Sequence, residues 1–174
     1  MSTIKTTNIT HGSNSGTANL VLASSGNVIL STTGYATTPN APYAAVGISS
    51  TQAVANTTSY LILWDTEIVN RNSFFNATNE RFVAPVAGEY LACLDVQFTE
   101  QVNQLHTGIL KNGTNPGTNF DAWSNHGDDT RGHSRSAIIT LAVNDYITFQ
   151  CYHSTGSSKN LETNRTKGQV RFLG

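Results

Sequence analysis

The sequence predicts an all-β protein, and its composition carries that prediction. Thr, Asn and Ser supply 58 of the 174 residues, whereas only 21 residues carry a formal charge. This charged fraction is about half the average for soluble proteins, and exposed helix surfaces are usually built from charged residues. Thr and the other β-branched residues favour strands, while Asn and Ser favour turns. The length is suited to one domain with a substantial core.

Charge and hydropathy exclude two classes of partner. The net charge is −1 and the chain contains no basic run, which argues against binding to nucleic acid. The longest apolar run, residues 60–64, is too short to cross a bilayer, so we expect no membrane insertion. The first residues lack the apolar stretch of a signal peptide, and we therefore expect the chain to fold in a reducing cytoplasm.

Residues 1–40 differ in composition from residues 41–174, which form the second predicted domain. The first segment contains no Phe, Trp, Cys, Asp or Glu. Two short apolar runs on either side of residues 24–26 predict a β-hairpin, a turn of β-solenoid or an extended segment that cannot bury its apolar face alone. It must pack on the rest of the chain, on copies of itself or on another protein, and we expect it to anchor the chain to other proteins or to join copies of the chain. The predicted anchor residues are Asn19, Leu20, Val21, Leu22, Val28, Ile29 and Leu30.

Short strands separated by turns are predicted from residue 43 onward. The longer predicted strands cover residues 44–48, 60–64, 89–98, 106–111, 136–143, 146–152 and 169–173. Asn112-Gly113 and Asn144-Asp145 predict tight turns, and residues 70–73 predict another. Residues 112–134 and 153–167 are predicted as loops. Roughly eight to ten strands at this spacing indicate a sandwich or jelly roll.

The strand over residues 89–98 alternates with a period of two. Its even-numbered residues are apolar and should share one buried face: Tyr90, Ala92, Leu94, Val96 and Phe98. Cys93 falls on the opposite face, whereas Cys151 should be buried in its own strand. A disulfide between these cysteines is possible in principle, but free thiols are favoured in a reducing compartment.

Residues 43–174 resemble a complement C1q-like globular domain. The motifs that carry the resemblance are Trp64-Asp65, Asn70, Phe74-Phe75, Phe-Val-Ala-Pro at 82–85, Gly-Glu-Tyr at 88–90, Leu-Lys-Asn-Gly at 110–113, Leu141, Asp-Tyr-Ile at 145–147 and Val170 through Gly174. The family usually has Gly-Asp where this chain has Asn144-Asp145. The resemblance implies a ten-stranded C1q/TNF-like jelly roll that assembles as a homotrimer.

Residues 7–23 are similar to the starts of structural proteins of tailed phages, particularly those of aquatic cyanobacteria. Together, the two resemblances imply a non-enzymatic virion protein that is assembled in the host cytoplasm. It would be a trimeric knob, a short fibre or a capsid decoration protein, docked to other virion proteins through residues 1–40. The alternative is a tail-fibre module that binds a host surface glycan. A depolymerase-type enzyme is the third possibility.

One polar cluster has the chemistry of a metal site. His126, Asp128, Asp129 and His133 lie in the long predicted loop, where carboxylates would bind Ca²⁺ and imidazoles a transition metal. Their spacing matches no defined metal-binding motif, so a solvated loop without a cofactor is favoured. Asp128 and Asp129 remain the candidates for calcium, because members of the resembled family can carry this ion in loops.

The sequence contains no catalytic motif. Besides the polar cluster, two groups of aromatic residues are candidates for a functional role. The chain has no Gly-x-Ser-x-Gly elbow and no supported carboxylate pair, so we predict no enzymatic activity. Phe120 and Trp123 in the long loop would either stack on sugar rings or, as we favour, pack at a barrel end or trimer seam. Candidates for the threefold interface or the core are Tyr60, Trp64, Tyr90, Tyr146 and Tyr152.

Overall fold

Every regular element in the computed structural model of the protein is a strand. The structure describes residues 41–114, 121–124 and 130–174, with residues 121–124 and 130 described as backbone. Within these ranges the strands are β1 (Tyr43–Gly47), β2 (Ala53–Val54), β3 (Tyr60–Leu61), β4 (Thr66–Arg71), β5 (Phe75–Asn76), β6 (Arg81–Val83), β7 (Gly88–Val102), β8 (Leu105–Lys111), β9 (Asp121–Ser124), β10 (Thr130–Leu141), β11 (Tyr146–Tyr152), β12 (Lys159–Asn160) and β13 (Lys167–Phe172). The predicted all-β class is therefore confirmed.

Two antiparallel sheets form the two layers of a sandwich. The five-stranded sheet has the order β10-β7-β13-β1-β4. The six-stranded sheet has the order β5-β6-β11-β8-β9, with β3 also paired to β11. The short strands β2 and β12 pair with each other. Because strands distant in the chain lie side by side, as β1 does with β13, the connections cross between the layers as they do in a jelly roll.

The core lies between the two sheets, and β7 supplies its central row. The five even-numbered residues from Tyr90 to Phe98 are all buried, which confirms the predicted alternation. From the facing sheet, Phe82 and Phe149 pack with their ring centroids 5.4 Å apart. The alternation leaves the odd-numbered residues of β7 on the other side of the sheet, facing outward.

The two tight turns predicted from Asn pairs are confirmed. Asn112 and Gly113 both adopt positive φ, 53° and 76°, as a two-residue type I′ hairpin turn requires. Asn144 also has a positive φ, 70°, in the turn between β10 and β11. Asn and Gly tolerate this left-handed region better than other residues do.

Several predicted boundaries were wrong. The turn predicted at residues 70–73 begins two residues later, because β4 runs to Arg71 and pairs with β1. The long loop predicted over 112–134 contains β9 and the first residues of β10. The strand predicted over 60–64 is limited to Tyr60–Leu61. β4 and β10 lie at sheet edges, where exposed polar residues hide the alternation that marks a strand.

The described strands also number thirteen rather than ten. Four of them, namely β2, β3, β5 and β12, are only two residues long. Such short pairings leave no periodicity in the sequence and depend on the neighbouring strand to form. The hairpin and anchor predicted in residues 1–40 lie outside the described residues.

Candidate functional site

The outward face of the five-stranded sheet presents cross-strand rows of side chains. One row runs across all five strands, because Ile138 pairs with Leu91, Leu91 with Arg171, Arg171 with Tyr43, and Tyr43 with Arg71. Neighbours in such a row are separated by about 4.5 to 5.5 Å between Cα atoms. The row therefore places two arginines on either side of a tyrosine and joins them to two aliphatic residues.

The adjacent row is small and nearly uncharged. It runs from Ser136 through Cys93, Gln169 and Ala45 to Val69. Ala45 is only 9% exposed, and Cys93 and Val69 are half-buried. The side chains at the centre of this outer face are thus short and carry no charge. A sheet face that contacts solvent normally presents polar residues.

Two adjoining depressions lie on this face. The larger has a volume of about 410 Å³ and is lined by Ala41, Tyr43, Arg71, Leu91, Cys93, Gln169 and Arg171. The smaller, of about 180 Å³, shares Cys93 and Gln169 with it and extends to Ile68 and Asp95. Ile68 and Ile138, at 54% and 56% exposure, add apolar surface near the two depressions. We call this surface, from Ile138 across to Arg71, the outer face.

Basic groups border the larger depression. The Arg71 guanidinium carbon lies 5.6 Å from the centroid of the Tyr43 ring, within the range of a cation–π contact. Arg171 and Arg71 are both exposed, and the ion pairs of the described residues, Lys111–Asp145 and Lys159–Glu100, involve neither of them. The depression therefore has neutral residues, among them Leu91 and Cys93, between two positively charged side chains.

Cys93 is a free thiol on the floor of both depressions. Burial raises its pKa, a hydrogen bond with the Gln169 side chain opposes that rise, and the Asp95 charge adds to it. Since thiolate is the reactive form, the raised pKa makes Cys93 a weak nucleophile. This site does not have the electrostatics of a catalytic cysteine.

The predicted interface or core residues fall into two groups. Tyr90 and Trp64 are buried inside the single chain, and the Tyr90 hydroxyl donates to the Val86 carbonyl oxygen at 2.7 Å. Burial raises the pKa of Tyr90, while this hydrogen bond opposes the rise. Both residues serve the core, so their side chains are not part of the exposed surface.

The other three aromatics belong to the six-stranded sheet and are half-buried. Tyr60 packs against the core, and burial raises the pKa of its hydroxyl. Tyr146 lies under the Arg81 guanidinium, 4.0 Å from carbon to ring centroid. Tyr152 contacts His106, with 4.8 Å between ring centroids. None of the five predicted aromatics therefore lies on the outer face.

The predicted metal cluster and loop aromatics are mostly outside the described residues. His126, Asp128, Asp129 and Phe120 fall in undescribed ranges. His133 lies on β10, where its Nδ1 is 2.9 Å from the Thr107 hydroxyl. Trp123 lies on β9 at the register position opposite His106. Within the described residues, no three His, Cys, Asp or Glu side chains are grouped as metal ligands would be.

Sequence reasoning missed the residues that form the outer face. The available signal was the odd-numbered parity of β7, which already separated Cys93 from Tyr90. The pairing of β1, β13 and β7 was needed to bring Arg171 and Arg71 to that same surface. Contacts between strands more than a hundred residues apart in the chain leave no local pattern.

Two antiparallel sheets with crossed connections define a jelly-roll sandwich. The model of the C1q domain family matches residues 45–172, and the chain belongs to this family. No curated protein matches the chain in sequence. In the described residues, no helix is long and apolar enough to cross a membrane.

Solved structures with the same fold come from different animals. The globular domain of zebrafish complement 1qA superposes with a TM-score of 0.58 at 12% identity, covering 77% of this chain and 98% of that one. Murine APRIL at pH 8.5 gives 0.55 at 14% identity, covering 76% and 98%. Eiger TNF from S. frugiperda gives 0.51 at 13%, covering 78% and 94%. At these identities the likeness shows the fold alone.

Proposed function

We propose that the protein is a non-enzymatic structural protein that assembles as a homotrimer through the outer face of its five-stranded sheet. The observation that carries the proposal is the pair of adjoining depressions, with half-buried Leu91 and Cys93 on their floor. The resemblance of residues 43–174 to C1q-like domains implies the same state of assembly.

The apolar residues at the border of the depressions supply the driving force for assembly. Ile68 and Ile138 are more than half exposed in the single chain. Covering an aliphatic side chain of this size contributes about 1.5 to 3 kcal/mol when burial is complete. Ile68 on β4 and Ile138 on β10 lie at the two edges of this sheet, so a partner that covers the outer face buries both.

Light scattering coupled to size-exclusion chromatography tests the assembly. The wild-type chain should elute at three times its mass of 18.7 kDa. The variant Ile138→Arg should dissociate, because it places a charge in the interface. Leu61→Arg is the matched control, since Leu61 is 40% exposed on the other sheet and should leave the trimer intact. A wild-type chain that is a stable monomer would refute the proposal.

We further propose that the trimer is a component of the virion of a tailed phage. The trimer would serve there as a knob, a short fibre or a capsid decoration protein, docked to other virion proteins through residues 1–40. This part of the proposal is supported by the sequence: the segment is free of acidic residues and is similar to the starts of phage structural proteins. Gold-labelled antibody should decorate intact particles at the head, the collar or the tail. Purified particles that lack the protein would contradict this role.

A second candidate function is recognition of a host surface glycan. The observation that favours it is the contact of His106 with Tyr152, together with the register position of Trp123 opposite His106. The paired rings of His106 and Tyr152 would offer a sugar ring an apolar surface on which to stack. Binding to host envelope polysaccharide that is lost in Tyr152→Ala and Trp123→Ala would support this function. Cleavage of that polysaccharide would instead indicate a depolymerase.

A further inference from the structure

Two arginines of the outer face have no acidic partner among the described residues. Arg71 and Arg171 both line the larger depression, on opposite sides of Tyr43. Neither forms an ion pair with a described carboxylate. A positive charge that is exposed in one chain costs little, but the same charge buried at an interface needs a carboxylate within hydrogen-bond reach.

Most of the described carboxylates are already engaged within the chain. Asp65 accepts hydrogen bonds from the backbone N–H groups of Ser49 and Ser50 at 2.6 and 2.9 Å. The other engaged groups and their partners are Glu67 with Asn70, Glu80 with the Trp64 N–H, Glu100 with Lys159, and Asp145 with Lys111. These carboxylates are held in place and are not free to neutralise an arginine elsewhere.

Three carboxylates remain without a hydrogen bond or ion pair to another described residue, namely Glu89, Asp95 and Glu162. Glu89 and Asp95 are exposed residues of β7 with the same parity as Leu91 and Cys93. They therefore project from the outer face, on which the arginines also lie. Asp95 pairs with Lys167 in register, but no ion pair closes between their side chains. The outer face thus carries unpaired charges of both signs.

A partner that buries both arginines is expected to bring a carboxylate, and we compare two possible sources of that group. Residues 1–40 contain no Asp or Glu, so the N-terminal segment cannot provide it by folding back. A second copy can, because it presents Glu89 and Asp95 on β7. The volume of about 410 Å³ is ample for an acidic side chain between the two guanidinium groups.

We propose that Arg71 and Arg171 of one copy pair with Glu89 and Asp95 of the next copy in the trimer. The inference rests on the proposed homotrimer, because it assigns the charge contacts of that interface. In a threefold assembly each subunit uses one part of its surface to contact a different part of its neighbour. Arg71 on β4 and Arg171 on β13 of one copy then lie against β7 of the next copy, and the charges select the register in which the apolar residues are covered.

Charge reversal tests the pairing. The variant Arg71→Glu/Arg171→Glu and the variant Glu89→Arg/Asp95→Arg should each weaken trimer association by about tenfold or more, since like charges then face each other. A chain that carries all four substitutions restores opposite charges at every interface and should recover most of the association. Arg81→Glu/Arg131→Glu is the control, because it changes the net charge equally with arginines that line neither depression, and Arg81 lies on the other sheet.

Light scattering over a concentration series gives the association constants, and circular dichroism confirms that each variant keeps its sheet structure. If the wild type is a trimer and both paired variants remain trimers, the pairing is refuted while the homotrimer stands. If the four-substitution chain is folded but fails to associate, the pairing is likewise refuted. A wild-type monomer would refute both the pairing and the homotrimer.

Discussion

The Asn112 side-chain amide donates a hydrogen bond to the Asp145 carboxylate at 2.7 Å and so joins two turns that lie 33 residues apart. In return, the Asn112 amide oxygen accepts the N–H of Tyr146 at 2.9 Å. The second Asp145 oxygen accepts the N–H of Ala142 and lies 2.9 Å from the Lys111 ammonium. The Asn112 amide, followed by Lys111 and the Ala142 N–H, lowers the pKa of Asp145 to about 2.

This lowered pKa predicts a loss of stability in acid. The folded state favours the charged carboxylate, so its contribution is complete above about pH 4, the pKa of an unfolded Asp. It should disappear as the pH falls toward 2. Asp145→Asn should therefore lower the urea midpoint at pH 7, and the difference from wild type should shrink between pH 4 and pH 2. Glu162→Gln, which removes a carboxyl with no ion pair to a described residue and no part in the proposed interface, is the control. A gap that is independent of pH would contradict the assignment.

Gly168 predicts an overpacking defect at the centre of β13. A Cβ at this position would lie 2.9 Å from the Trp64 ring and 3.0 Å from the Phe149 ring, both in the buried core. These rings cannot retreat without disturbing the facing sheet. Gly168→Ala should thus cost about 1 to 3 kcal/mol of unfolding free energy, measured by urea denaturation.

Gly47 provides the matched control for that substitution. It pairs with Lys167 on the adjacent strand, and a Cβ there would meet only ordinary contacts at 3.8 Å. Gly47→Ala should be close to neutral. Equal losses in the two variants would mean that the effect comes from the backbone rather than from the core rings.

The sequence was sufficient for the parts of the fold that have a local pattern. The alternation of Tyr90 through Phe98 located the core face of β7, and Asn112-Gly113 located a hairpin turn because only certain residues accept its positive φ. β4 was not predicted, because Glu67 and Ile68 are both exposed at the edge of the sheet. The strand therefore lacks the alternation of polar and apolar residues that marks a half-buried strand.

The candidate site was not predictable in the same way. The aromatic residues were predicted for the threefold interface or the core, because Tyr and Trp are enriched in interfaces, and Tyr90 and Trp64 are in the core of one chain. The outer face instead depends on β13 lying between β1 and β7, a pairing of distant segments. Which side of a strand faces a partner is decided by this sheet order.

His153 predicts a stability loss that depends on hydrogen bonds rather than on volume. It is fully buried, with Nε2 at 3.0 Å from the Val54 carbonyl oxygen and the Thr155 N–H at 3.3 Å from Nδ1. These partners assign the proton to Nε2. His153→Phe keeps a ring beside Phe98 but leaves the Thr155 N–H without its acceptor, at a cost of about 1 to 3 kcal/mol.

Ser158→Ala is the comparison for His153. The Ser158 hydroxyl donates to the same Val54 oxygen at 3.1 Å, but Ser158 is exposed and water can replace it. Ser158→Ala should therefore lower the free energy of unfolding by less than His153→Phe does, as measured by thermal or urea unfolding. A larger loss in Ser158→Ala would refute the role of the buried imidazole.

The two free thiols should report the assembly by their reactivity. Burial raises the pKa of Cys151 to about 12, so this thiol should react with a disulfide reagent only after unfolding. Cys93 is half-buried in the single chain and lies on the face that the proposed trimer covers. In the wild-type trimer both thiols should therefore react slowly, whereas in Arg71→Glu/Arg171→Glu one thiol per chain, that of Cys93, should react faster than in the trimer. The fast phase should accelerate with rising pH, because burial also raises the pKa of Cys93 and thiolate is the attacking form.

The control is to add Cys93→Ser to the charge variant, which should abolish that phase. An equally fast thiol in the wild-type trimer would show that the outer face is not covered.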